Sequence, residues 1–378
     1  MKATGLTAAL AAAATAFAFV LLRAESQRAI GLLVALGIAV GFVATRTRLL
    51  EPFARAAAAR EGSTKLLVFA AVAALALLLR EDDFSLLLLT RMLIVIIACL
   101  GLNVQFGYSG VVNFAGASFF GVGGYTAAVL SRGTHLPHLL ILLAGGAAAA
   151  LAGSILLVPV LRTRGHYAAL VTIAFALLFR TFLEVNDTLG GPQGLKLGEF
   201  VLGRFHFNEP IELGFFEGSF YLRYVALSLL LAALFFVLVQ RLERSWIGIT
   251  LDAVRLDETA ARTFGINLAR WKITAFTLGN FITGIAGALS AFLIGFIAPN
   301  NYAFSESLIF VSILLLGGIG NVWGLCLATA IVILLPEKLQ VIQEYRFLLF
   351  AAMVVLILLF RPAGLVPRPK RRLAEPRP

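Results

Sequence analysis

Charge is what this sequence has least of. Only 13% of its 378 residues are Asp, Glu, Lys or Arg, whereas a soluble domain uses about a quarter. Such a chain cannot coat its own surface, so lipid must cover much of it. Cysteine is nearly missing. Cys99 and Cys326 both lie inside apolar runs and read as small buried hydrophobes, not as a disulfide or a metal pair. Among the four histidines, His135 and His138 sit three apart, but Pro137 lies between them and no third ligand is near in sequence; no metal site is read here. There is no G-x-x-x-x-G-K-[ST] segment, which excludes ATP binding by that loop. No nucleophile–base constellation stands out. The net charge of +11 gathers in a few loops and the C-terminal tail, with no aromatic-interleaved basic domain, which argues against nucleic acid.

Hydrocarbon is abundant instead, at 60% apolar residues. Runs such as 66–79, 139–161 and 347–360 are long and do not alternate. A bilayer core takes about 20 apolar helical residues, and only helices or closed barrels cross it. The fold class is therefore all-α, a polytopic helical membrane protein. Spans are read at 4–22, 30–44, 66–79, 86–106, 111–130, 138–161, 167–183, 220–239, 272–296, 306–318, 323–335 and 346–360. Breaks near 107–110 and 319–322 leave the count at roughly ten to twelve crossings. The opening "MKATGLTAALAAAATAFAFVLLR" has the look of a leader, but many spans follow and it reads as a first transmembrane helix.

Basic loops orient the chain. Residues 45–65, 161–166, 240–272 and the tail "RPAGLVPRPKRR" are basic, whereas 80–84 and 184–219 are acidic. The former go to the cytoplasm and the latter outside, with both termini in. Arg91 and Arg180 lie toward span ends, where they can snorkel to the interface.

Two stretches depart from plain hydrocarbon. The first is "GLNVQFGYSGVVNFAGASFFGVGGYT" (101–126). Glycine costs about 1 kcal/mol in a helix interior, and polar groups in lipid are costly unless they face protein or water. Close helix packing is one reading; a broken helix lining a solute path is the other. Asn103, Tyr108, Ser109, Asn113 and Tyr125 are the candidate path residues here, joined by Asn321 and Trp323 from a second glycine-rich break at 316–324. The polar residues favour packing combined with a path. Breaks in both halves are what inverted transporter repeats tend to show.

The second stretch is the loop "WIGITLDAVRLDETAARTFGINLARWKITAF" (246–276). Its centre, 255–264, is expected to form one short amphipathic helix. Leu256, Ala260 and Phe264 share a face, Glu258 and Arg262 form an i,i+4 pair, and Gly265 stops it. Such a short helix needs something to dock against. Arg255, Leu256, Glu258, Ala260, Ala261, Phe264 and Gly265 are the candidate docking residues; a helix lying on the lipid interface is the alternative.

The run Glu258-Thr-Ala-Ala261 followed by Gly265-Ile-Asn267 resembles the "EAA…G" coupling loop of ABC-importer permeases. With "GIN" and Lys272 it is similar to the branched-chain amino-acid permease family. "GLN…GYSG…FAGASFFGVGGYTAA", "LRTRGHYAALVTIAF" (161–175), "TLGGPQGL" (188–195), "LLGGIGNVWG" (315–324) and "LLFRPAGL" (358–365) match that family in order. His166 departs from the acidic or apolar residue often found there. The resemblance covers 90–365 and leaves the first 85 residues unmatched. It implies a domain at 86–365 with the coupling loop at 240–272, preceded by an N-terminal extension (1–85) of about three helices and followed by a basic cytoplasmic tail (366–378).

The "GGPQGL" loop resembles that of one of the family's two paralogous subunits. The implied function is the permease subunit of an ATP-driven importer of type II-like fold in a bacterial inner membrane, not an enzyme. Its implied partners are a sister permease, two ATPase subunits and an external solute-binding protein. ATP and magnesium would be held on the ATPase, with no cofactor on this chain. Branched-chain amino acids, urea or other small polar solutes would be moved. Gly190, Gly191 and Gly194 are candidate docking residues for the binding protein; an ordinary turn-rich connection is the other reading. The alternative function is an ion-gradient-driven secondary transporter, which usually needs titratable groups at mid-membrane, and none stands well inside the spans. A membrane-embedded enzyme is a further class, without any catalytic set to carry it.

Overall fold

The computed structural model describes residues 2–24, 26–46, 61–162, 166–203, 205–213, 216–339, 345, 348, 351–352, 355, 359, 364–366 and 368. Residues 47–60 of the basic loop read at 45–65, most of the span read at 346–360 and the tail beyond 368 lie outside them, as do residues 360–363 of the closing motif.

The chain divides into two compact units. The first comprises Met1–Arg91, Phe207–Ala233 and Ile333–Arg346. It contains helices α1 (Lys2–Arg23), α2 (Gln27–Arg46) and α3 (Glu61–Leu78), with the first turns of α4 (Asp83–Asn103) and α8 (Tyr221–Arg244) and the end of α13 (Val322–Lys338). Polar side chains of this unit find partners within it, which offsets the cost of taking them out of water. Ser85 Oγ donates to Asp82 Oδ2 (2.7 Å) and to the Leu22 carbonyl (3.1 Å). Arg91 reaches Glu337 at 2.8 Å. A two-stranded ribbon, Ile211–Leu213 with Phe216–Gly218, also belongs here.

The second unit, Met92–His206, Leu234–Val332 and Phe347–Pro378, carries both glycine-rich breaks and the loop 240–272. At its centre, α11 (Leu268–Ile294) packs against α5 (Gly116–Gly133) and α6 (His138–Arg162). The contact is backbone to backbone. A Cβ added to Gly123 would stand 2.0 Å from the Gly284 carbonyl oxygen, and one on Gly287 would stand 1.8 Å from that of Phe120. Without hydrophobic drive between helices in lipid, this close approach supplies the dispersion contact that holds them. Around it sit α7 (His166–Val185) and α12 (Phe304–Gly317).

Among the described residues, five helical stretches are long and apolar enough to span a membrane: Asp83–Ser109, His138–Leu161, Tyr167–Val185, Tyr221–Arg244 and Leu268–Ile294. Helix bounds follow the hydrophobic runs closely, with three departures. The span read at 111–130 begins helically only at Gly116. The loop 240–272 folds as two helices, α9 (Trp246–Leu256) and α10 (Glu258–Thr263), where one at 255–264 is expected from sequence. The acidic segment 184–219 carries short strands; its Leu195–Lys196 pairs antiparallel with Phe296–Ile297.

Candidate functional site

The first break begins where α4 passes into a π-helical turn, Val104–Ser109. Gly110 then takes the left-handed conformation (φ 70°), and backbone 110–115 runs non-helically to α5. Irregular backbone at membrane depth survives only where protein or water satisfies it. Here side chains do so. Thr172 Oγ1 accepts from the Phe114 amide at 3.1 Å, and Asn113 Oδ1 from the Ala115 amide at 2.9 Å. Opposite lies Asn280, near the middle of the 27-residue α11.

Amides form the heart of the site. Gln105 Nε2 donates to Asn280 Oδ1 (2.9 Å) and to the Phe276 carbonyl (3.3 Å). Asn113 Nδ2 donates to Gln105 Oε1 (2.7 Å) and reaches Asn280 Oδ1 at 3.4 Å. All three residues are fully buried. Among the described residues, Asn280 Nδ2 and Asn103 Nδ2 are buried without a hydrogen-bond partner. Each is a buried amide donor without a partner among those residues, which costs free energy.

The second break touches the first. Asn103 Oδ1 accepts from the Gly320 amide (2.9 Å), and a Cβ on Gly107 would stand 2.8 Å from the Gly320 Cα. Asn321 caps α13, its Oδ1 accepting from the amides of Trp323 (2.9 Å) and Gly324 (3.2 Å). Trp323 packs edge-on to Phe236. Ser109 Oγ bonds back to the Gln105 carbonyl (2.8 Å). Tyr125 stacks edge-to-face on Tyr302, its hydroxyl buried and without a hydrogen-bond partner among the described residues. The structure thus gathers Asn103 and Asn113 around the breaks, gives Asn321 and Trp323 capping and packing contacts, and seats Tyr125 apart, beside Tyr302.

Tyr108 faces the loop rather than the amides. Its hydroxyl donates to Glu243 Oε2 (3.2 Å), and the Arg368 guanidinium lies 4.9 Å over its ring. Arg368 also donates from Nε to Glu243 Oε1 (3.0 Å), and from Nη1 and Nη2 to the two Asp252 oxygens (2.6 and 3.0 Å). Burial by itself would lower the Arg368 pKa, but Asp252 and Glu243 outweigh it and hold it above the ordinary value.

The loop is built on caps. Ser245 Oγ caps α9. Asp257 is extended (φ −154°), and its Oδ1 accepts from the amides of Thr259 (2.8 Å) and Ala260 (3.0 Å). That cap is why the expected single helix divides: an aspartate at this position starts a new helix more readily than it continues the old one. Val254, Ala261 and Leu268 are buried together with Ile266 and Trp271 against them. Glu258 pairs with Lys272 (2.5 Å), not with Arg262. Arg255 covers Gly110, its Cγ standing 2.9 Å from where a Cβ would lie. Leu256 and Phe264 are left 77% and 85% exposed, and Ala260 is exposed beside them. Gly265 (φ 78°) closes α10.

On the acidic side, Gly190 and Gly194 hold positive φ and pack onto backbone. A Cβ on Gly194 would stand 2.0 Å from the Ile297 carbonyl oxygen. Gly191 is buried, and the exposed members of the turn are Pro192 and Gln193. His138 is engaged here too, its Nδ1 3.0 Å from the Val201 carbonyl oxygen.

Sequence reasoning left Gln105 out of the path candidates and missed Asn280, Thr172, Glu243, Asp252 and Arg368. An asparagine in the middle of an otherwise apolar run was the available signal for Asn280; the others carry none without their partners.

A family model described as branched-chain amino acid transport system / permease component matches residues 84–358. The high-affinity branched-chain amino acid transport system permease protein LivM of Escherichia coli K12 is 35% identical over 294 residues, covering 74% of this chain and 69% of the relative. The probable branched-chain amino acid transport permease protein LivM of Methanocaldococcus jannaschii is 24% identical over 322 residues, 72% and 90% of the two chains. The permease protein LivH of Escherichia coli K12 is 22% identical over 300 residues, 72% and 91%. No solved structure matches.

Proposed function

Since this chain belongs to the family of permease components of branched-chain amino acid transport systems, we propose that it is the membrane subunit of an ATP-driven importer. It carries branched-chain amino acids, or a related small polar solute, into the cell. Higher identity to LivM than to LivH supports the reading that it is the subunit with the glycine-rich external loop. It works beside a sister permease, two ATPase subunits that hold ATP and magnesium, and an extracytoplasmic solute-binding protein. The proposed bundle is type II-like, with roughly ten to twelve crossings, in a bacterial inner membrane with both termini inside. Residues 1–85 are assigned as an N-terminal extension; the family match begins at 84.

One observation carries the coupling assignment. Leu256 and Phe264 stand exposed on two capped helices, while the same loop's inner side meets the first break through Arg255 at Gly110. In this reading the outer side docks on the ATPase and the inner side acts on the path. ATP binding draws the ATPase pair together and moves the docked helices. The bundle then shifts between inward- and outward-open states, by as much as the ATPase's affinity for the two differs. The buried amides are the closed part of the path. A solute delivered by a binding protein needs only weak affinity there, so selectivity rests with that protein.

The test is purification of the tagged chain from mild detergent, with mass spectrometry of what accompanies it. An ATPase and a second permease are expected. Recovery of this chain alone, together with uptake that survives ATP depletion and collapses with an uncoupler, would instead establish an ion-driven carrier.

A further inference from the structure

Arg368 connects more of the second unit than its place near the chain's end implies. The segment that brings it there is bonded to the second break. The Leu365 amide donates to the Leu316 carbonyl (2.8 Å), the Val366 amide to that of Gly317 (3.3 Å), and Asn321 Nδ2 to the Val366 carbonyl (3.1 Å). Gly364 (φ 79°) lies so close to Gly318 that a Cβ would stand 2.4 Å from its Cα. From this anchorage the Arg368 side chain, only 13% exposed, passes over Gly320, where its Cδ lies 2.7 Å from the Cβ position. It covers Tyr108 of the first break and ends in a fork on Asp252 of α9 and a bond to Glu243 at the end of α8.

One side chain therefore meets the second break through its Cδ, and the first break, a transmembrane helix end and the coupling loop through its guanidinium. A planar fork on a carboxylate fixes distance and direction together, which a point charge does not. Such a rigid joint transmits displacement of α9 to whatever else it holds. We propose that Arg368 is a positioning residue that links the coupling-loop helix α9 to both helix breaks, so that movement imposed on the loop is transmitted to the path. The inference rests on the importer reading and adds a second mechanical connection, beside Arg255 at Gly110, supplied by the C-terminal segment.

The experiment uses the complete complex in proteoliposomes with its binding protein, measuring leucine uptake and ATP hydrolysis together. Arg368→Ala should leave subunit stoichiometry unchanged and lower solute moved per ATP hydrolysed by roughly fivefold or more, the lower end of typical coupling effects. Asp252→Asn should do the same, and the double variant should be no worse than either single one, as expected for two members of one joint. Arg368→Lys, which keeps charge without the fork, should fall between. A wild-type uptake-to-hydrolysis ratio in Arg368→Ala, or losses that multiply in the double variant, would overturn the proposal. So would an Arg368→Ala complex that fails to assemble beside an Arg368→Lys complex of wild-type ratio, since charge alone would then suffice. Uptake by the unmutated complex without ATP hydrolysis would sink the importer reading instead.

Discussion

Gln105 and Asn280, 175 positions apart, meet through a 2.9 Å hydrogen bond in which one amide donates to the other. The bond joins the π-helical turn of the first break to the middle of α11, and Asn113 closes it into a three-amide cluster. No member carries charge, so the cluster ties the break to α11 without the cost of burying an ion.

Removing one amide should therefore destabilise the bundle measurably. Asn280→Ala strips the acceptor from Gln105 and Asn113 and is expected to cost about 1–2 kcal/mol, the range for lost interhelical hydrogen bonds in membranes. The Gln105→Ala/Asn280→Ala pair should cost less than the sum of its parts. Thermal unfolding in detergent reads both; additive losses would mean that the two amides act separately.

Glycine contacts give a sharper contrast. Gly123→Val places atoms inside the Gly284 carbonyl and should abolish or severely reduce folded protein, since backbone cannot yield as a side-chain end does. Gly133 has nothing within 4 Å of its Cβ position, so Gly133→Ala should leave monodispersity on size exclusion unchanged. Equal behaviour of the two variants would refute the backbone-contact account.

Asp257 is the hinge between the loop helices. Asp257→Ala removes two amide bonds from the start of α10 and is expected to cost that helix about 0.5–2 kcal/mol. Hydrogen exchange across Glu258–Thr263 should quicken while α11 is unaffected. Unchanged exchange there would show that tertiary packing of Ala261, not the cap, holds the helix.

The exposed face of the loop should matter to the partner alone. Phe264→Ala is expected to leave the permease's own melting temperature unchanged and to weaken retention of the ATPase in pull-down. Gly265→Pro should also uncouple hydrolysis from uptake, because proline cannot take φ 78° and lacks the amide that bonds Arg262 (2.9 Å). Full assembly and uptake in both variants would remove the coupling assignment.

Gly194→Ala should disturb the glycine-rich turn through the Ile297 carbonyl, freeing the pairing of Leu195 with Ile297. Gln193→Ala, at an exposed position, should leave that pairing intact and lower affinity for the solute-binding protein. Exchange of the Leu197 amide, which donates to Gly295 (2.9 Å), distinguishes the two effects.

Much of this architecture was legible without coordinates. Long apolar runs determined helices, because lipid leaves backbone polar groups no other partner. The glycine cluster at 101–126 marked one side of the contact between α5 and α11, and polar residues within it marked the first break; the α11 glycines that complete the contact were not read from sequence. The loop's outward residues, Leu256, Ala260 and Phe264, were readable from helical spacing even though Asp257 divides the helix beneath them. What tertiary structure alone decided is which polar groups meet. Tyr108 was a candidate for the path, yet it bonds Glu243 under Arg368, 125 residues beyond that glutamate. Hydrogen bonds and ion pairs act over a few ångströms and depend on direction. Their partners follow from how the chain returns on itself, which local periodicity does not encode.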